Sequence, residues 1–212
     1  MYIIDETYFT KELVIPNQSA IDVGGSTAPF GTWIDQQSRL FLQSVLGNVL
    51  FTDFDANVTD GVLDVGAPQK WIDLVDGKTY TENGVSYTWK GLKFEEGAFK
   101  GSIIAYFVYC KWLEYQLSRQ SGIGEVRGSA ANSASVGTTH RYVTTWNTFV
   151  DMYQGTHDTD MTITVYRGVP FLDYYGDRED GYVSLVQFLL DNEEDYPKPA
   201  VRRYNYLNTF GV

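Results

Sequence analysis

Cysteine is almost missing: Cys110 is the only thiol in a chain of 212 residues. An internal disulfide framework and a Cys-based zinc site are therefore excluded. Histidine is nearly as scarce, with His140 and His157 alone. Basic residues are few, 16 Lys and Arg against 27 Asp and Glu, for a net charge of -11. A chain so acidic is not a general nucleic-acid binder by charge. No run reaches the ~18 apolar residues of a membrane span. The longest candidate, Gly101 to Leu117, is interrupted by Lys111 and Glu114. The N-terminus has no basic stretch leading into an apolar one, so no signal peptide is expected and the chain is expected to be made in a host cytoplasm. No GxSxG, HExxH or P-loop pattern occurs, and no internal repeat is visible.

What is present is globular. Hydrophobic residues make up 43% of the chain, which excludes a disordered protein. Aromatics reach 16%, with 16 Tyr, 12 Phe and 5 Trp. That exceeds the needs of one core and points to interfaces, where Tyr and Trp are favoured.

The pattern along the chain predicts a mainly α fold: a helical bundle with a small β-hairpin, an extended N-terminal arm and an extended C-terminal tail. Residues 1–32 read as the arm, with a short strand from Phe9 to Ile15 closed by Pro16. Residues 33–155 read as the body. Its first helix spans 33–51, where Phe41/Leu42, Val45/Leu46 and Val49/Leu50 recur at helical spacing. Gly47 marks a kink there, or the meeting of two helices. A short helix at 67–75 has Pro68 in its first turn. Asn83-Gly84, between strand-like runs within 78–89, is the signature of a type I′ hairpin. A long helix is expected over 95–119 and another over 139–154. The latter carries the stripe Tyr142, Trp146, Phe149, Val150 and Tyr153. Phe107, Leu113, Trp146 and Phe149 are expected in the core. The Gly/Ser stretch 121–138 reads as a flexible loop, open to proteolysis near Arg127 in the free protein and ordered by a partner on assembly. Residues 156–195 form an acidic region with an extended segment at 161–175 and a last helix at 182–191. Residues 196–212 form the tail.

Candidate chemistry is weak. The glycines from Gly122 to Gly128 have one residue too many for a dinucleotide loop and follow a helix. His157-Asp158-Thr159-Asp160 and the Asp177, Glu179, Asp180 cluster lack calcium-loop spacing and read as solvated acidic surface. His140 has no nucleophile assigned to it, and Cys110 lies on an apolar helical face, where an inert core thiol is expected. Carboxylate pairs for glycoside hydrolysis are set by space and are not readable from spacing. No enzymatic activity, metal or cofactor is expected.

Charge is uneven. Residues 151–195 hold eleven acids and two bases, a net of −9. The tail after Asp195 is basic and aromatic. Pro197 and Pro199 hold it extended, so that Arg202 and Arg203 present charge beside Tyr204, Tyr206, Leu207 and Phe210. These residues, with Arg127, are the candidate interface, and the simplest partner for the tail is the acidic surface of an adjacent subunit.

Three segments carry a resemblance. They are Trp33-Ile34 followed by LFLQSVLGNVLFTDF (40–54), WIDLVDGKTYTENGVSYTWKGLK (71–93), and AYFVYCKWLEY (105–115) with the later RYVTTWNTF helix (141–149). Together, over about residues 33–155, they resemble the head-to-tail connector proteins of tailed phages, closest to those of Bacteroidetes and crAss-like phages. The resemblance implies a structural virion protein with no catalytic residue. It implies a homo-oligomeric ring, usually twelvefold, seated beneath the portal protein and offering a platform to the next tail ring protein. Such a ring extends the channel through which DNA passes without specific binding. The longer acidic 156–195 region departs from small connectors. The alternative is a sugar- or receptor-binding tail component using exposed Trp and Tyr, for which regularly spaced strands are expected instead.

Overall fold

The computed structural model describes residues 1–15, 30–117, 119–121, 124–126, 138–155 and 181–208. The expectations for the 161–175 segment, the 157–160 and 177–180 acidic clusters, Arg127 and Phe210 lie outside the described residues, as does most of the 121–138 loop.

The expectation of a mainly helical bundle with one hairpin is corrected. Among the described residues five α-helices alternate with four two-stranded antiparallel sheets, which makes a mixed α/β protein. The helices are α1 (Phe30–Asp55), α2 (Gln69–Asp76), α3 (Ile103–Leu117), α4 (Thr138–Gln154) and α5 (Leu185–Asp191). The strand pairs are β1 (Val58–Thr59) with β2 (Val62–Leu63), β3 (Lys78–Glu82) with β4 (Val85–Trp89), β5 (Phe94–Glu96) with β6 (Phe99–Gly101), and β7 (Arg119–Ser121) with β8 (Gly124–Val126).

Two of the additional hairpins replace expected helix or loop, for local reasons. The helix expected from residue 95 begins at 103, because Ser102 caps it. The Ser102 Oγ accepts from the N–H groups of Ile104 (3.1 Å) and Ala105 (3.4 Å), and donates to the Leu92 carbonyl at 2.7 Å. The residues before it turn back at Gly97, whose φ is 59°, into β5–β6. Within the expected flexible loop, Gly124–Val126 pairs with Arg119–Ser121.

Other elements follow the sequence closely. At the β3–β4 turn Asn83 and Gly84 have φ of 51° and 78°, the left-handed pair that a type I′ hairpin demands. The α1 helix bends at Gly47, whose φ of 77° no helical residue adopts. Trp89 at the end of β4 is fully buried, donates its indole N–H to the Leu74 carbonyl at 3.0 Å, and stacks on Phe188 of α5. Tyr80 of β3 donates to the Asp191 carboxylate at 2.6 Å. The hairpin is thereby fixed to both α2 and α5.

The extended N-terminal arm is also corrected over the residues described. Residues 1–15 form two 3-10 turns, Glu6–Tyr8 and Lys11–Leu13, in place of the expected strand. Tyr2, Ile4, Tyr8, Phe9, Leu13 and Ile15 are all buried in the core. The first turn is capped by the Asp5 carboxylate, which accepts from Thr7 N–H at 2.8 Å. Burying six apolar side chains outweighs the entropy of ordering this short segment, which a free arm would retain.

Candidate interface site on the fourth helix

Helix α4 lies across α3 and sends the stripe expected from sequence inward. Phe149, Val150 and Tyr153 are buried, while Tyr142 and Trp146 are half-buried. Phe149 meets Phe41 of α1 and Phe107 of α3, with ring centroids 5.8 and 5.5 Å apart, so the stripe continues the central aromatic core. The expectation that Trp146 is a core residue is corrected: its ring sits at the margin, under the C-terminal tail.

The tail runs antiparallel to α4. The side-chain amide of Gln154, itself 2% exposed, accepts the Tyr204 N–H at 3.0 Å and donates to the Tyr204 carbonyl at 3.0 Å. Two turns earlier, the Asn147 amide does the same to Leu207, accepting its N–H at 2.8 Å and donating to its carbonyl at 2.9 Å. The match is metric. Seven residues of helix rise about 10.5 Å, and three residues of extended chain span about 10 Å. Each amide thus offers a main-chain donor and acceptor the complement that a neighbouring strand would offer. Between the clamps, the Trp146 indole donates to the Asn205 carbonyl at 2.9 Å. Before them, the Tyr153 hydroxyl accepts the Arg202 N–H at 3.1 Å.

Side chains of the tail add one anchor. The Tyr204 ring stands edge-on to Tyr153, Phe149 and Trp146, at 4.9, 5.3 and 5.5 Å. Such pairs contribute about 0.5–1.5 kcal/mol each beyond area burial. Tyr206 keeps an exposed ring but donates its hydroxyl to the Asp151 carboxylate. Burial, then that hydrogen bond, push the Tyr206 phenol above its ordinary range. The tail turns past the α1 kink: a Cβ at Gly47 would stand 3.2 Å from that of Ala200.

The opposite end of α4 holds the N-terminal segment. Arg141 donates to the Glu12 carbonyl at 2.6 Å, with its guanidinium over the Tyr109 ring. Tyr106 of α3 donates to the Glu12 carboxylate. One helix therefore receives both described ends of the chain.

Of the candidate interface residues, Tyr204, Tyr206 and Leu207 are brought together on α4 of their own chain. Arg202 and Arg203 are exposed on the tail. Within the acidic segment, the Asp151 carboxylate accepts the Tyr206 hydroxyl. Asn147, Asp151 and Gln154 were not singled out from sequence. Their signal was there: a polar i, i+4, i+7 row beside the aromatic stripe, ending in an amide at the helix terminus.

His140 is exposed at the start of α4. Cys110 is fully buried, and burial pushes its thiol well above the usual range. Among the described residues no group of His, Cys, Asp and Glu is arranged to hold a metal. A surface cleft of about 350 Å³ lined by Asp76, Lys93, Phe94 and Glu95 has its charges paired internally. Lys93 lies 3.6 Å from Asp76, and Glu95 receives the Tyr8 hydroxyl at 2.7 Å and Lys100 at 3.2 Å. No protein-family model, curated protein or solved structure matches the chain.

Proposed function

We propose that the chain is a structural subunit of a phage head-to-tail connector, assembling as a ring below the portal protein and joining it to the tail. The observation that carries this reading is the chemistry of α4. Its polar groups face extended polypeptide and pair with main-chain N–H and C=O groups. Such groups join segments of protein; they do not activate a nucleophile or polarise a substrate. The resemblance of residues 33–155 to connectors supplies the assembly.

Charge supports the same reading. Tight nonspecific DNA binding comes from Lys and Arg neutralising phosphates. A net charge of -11 disfavours it, as a channel that passes DNA requires. The ring resides in the virion, with the portal protein on one side and the next tail ring protein on the other. The sugar- or receptor-binding alternative needs exposed Trp and Tyr platforms; all five tryptophans are buried or half-buried, and the hydroxyl of the exposed Tyr206 is engaged by Asp151.

Negative-stain imaging of the purified full-length chain, alone and with its portal protein, tests the reading. Closed rotationally symmetric rings, twelvefold as in connectors, are expected. A monomer that forms no ring at any concentration, with or without the portal, would overturn it.

A further inference from the structure

We propose that the α4 groove is an exchange site: in the assembled ring, residues 202–208 of one copy lie on α4 of the next. This rests on the ring reading above and names the contact that closes the ring.

Recognition in the groove is directed at main chain. Six hydrogen bonds from Tyr153, Gln154, Trp146 and Asn147 go to the N–H and C=O groups of residues 202–207. The same segment of any copy satisfies them equally, so exchange keeps all six; what an opened hinge gives up is the partial packing of Val201 on the core. The tail is also separable from the body. Tyr196 is the last fully anchored residue, 1% exposed with its hydroxyl on the Lys70 carbonyl. Among the described residues, 197–201 make no main-chain hydrogen bond to the body.

That hinge is strained in the closed position. Lys198 has a φ of 53° and directly precedes Pro199. A residue before proline is pushed towards extended conformations, and a non-glycine residue in the left-handed region is unfavourable in itself. An opened hinge relaxes Lys198 to the extended form. Five extended residues reach about 17 Å. Each copy carries one donor tail and one acceptor groove on different elements. Head-to-tail donation of this kind generates closed rings when the rotation closes.

Photo-crosslinking distinguishes the two positions. A full-length chain carrying Tyr206→p-benzoylphenylalanine is co-assembled with an equal amount of isotopically heavy wild-type chain, irradiated, and its crosslinked peptides are weighed. Exchange predicts light tails joined to the heavy α4 segment around Asp151 as often as to the light one. The same substitution at the exposed Asn208 gives an independent reading should the first variant assemble poorly. Rings whose tails crosslink only within their own chain would overturn the exchange and leave the ring reading standing. Cross-chain links in an assembly that is not a ring would uphold the exchange and overturn the ring. Monomers with internal links alone would overturn both.

Discussion

The two ends of the chain were alike in sequence and are unlike in structure. Both are aromatic, both adjoin proline, and both read as arms. The first fifteen residues are held by side chains: Tyr2, Ile4, Tyr8, Phe9, Leu13 and Ile15 all lie inside the core. The tail after Tyr196 is held by its backbone, through amides of α4, and most of its side chains remain exposed. Burial of side chains binds a segment to one place and makes it part of the fold. Pairing with a backbone is repeatable and reversible, and it leaves the segment free to serve another copy. The difference teaches that an arm's role is set by what its partner grips.

Truncation separates the two ends most strongly. Removing residues 1–15 withdraws six buried side chains, each worth about 1.5–3 kcal/mol of burial. Their sum rivals the whole stability of a domain, about 5–15 kcal/mol. The shortened chain should fail to show a cooperative thermal transition by circular dichroism. Removing 200–212 should leave that transition in place while blocking incorporation into particles. A cooperative melt after the N-terminal deletion would erase the contrast.

Single substitutions give the next largest effect. Phe9→Ala should cost about 3–5 kcal/mol, since Phe9 packs edge-on against Phe30 in the core. Tyr204→Ala should cost about 1–3 kcal/mol, because its ring is half-buried and makes edge contacts only. Chemical denaturation of both variants measures the pair, and equal costs would mean that the tail is as integral as the N-terminus.

Breaking a clamp should be milder still. Leu207→Pro removes the N–H that Asn147 accepts and touches no core residue. A net loss of about 0.5–1.5 kcal/mol is expected, confined to the tail. Amide exchange at Tyr204 and Asn205 should quicken while the midpoint of global unfolding stays unchanged.

The smallest effect is a pH dependence belonging to the N-terminal side. The Tyr8 hydrogen bond, then Lys100, hold the Glu95 carboxyl below its ordinary value of 4.5. A lowered folded-state value means that this stabilisation is present above about pH 4.5 and is lost as pH falls through the folded-state value. Glu95 is exposed, so solvent screens the contribution. Thermal melts of wild type and Tyr8→Phe should differ at neutral pH and converge in acid. A difference that widens in acid would contradict the assignment.

Much of the fold was legible because it rests on local chemistry. Asn83-Gly84 specified the hairpin through the left-handed pair its turn requires. Gly47 marked the α1 kink, and the stripe from Tyr142 to Tyr153 gave α4 nearly to its ends. What failed was non-local. The fate of residues 1–15 depended on a core assembled from α1, β6 and α3, which periodicity does not reveal. The expected helix start at 95 gave way to Ser102, whose capping role rests on a contact with Leu92 as much as on its neighbours. Tyr204, Tyr206 and Leu207 are expected from sequence at a contact between subunits, because aromatics beside prolines in a terminal segment need a partner; the structure places them on α4 of their own chain. Their receptor went unread: Asn147 and Gln154 look like ordinary solvated residues of a helix until a strand lies beside them.

Native-state hydrogen exchange on the full-length chain, resolved by residue, tests the contrast between the two ends most directly. The account predicts that the buried N-terminal segment, with the Ile3 N–H bonded to the Gly61 carbonyl at 2.7 Å, exchanges only through global unfolding. It predicts that the amides of Tyr204 and Leu207 exchange through local opening, at far lower free energy. Equal protection at the two ends, following denaturant together, would contradict it.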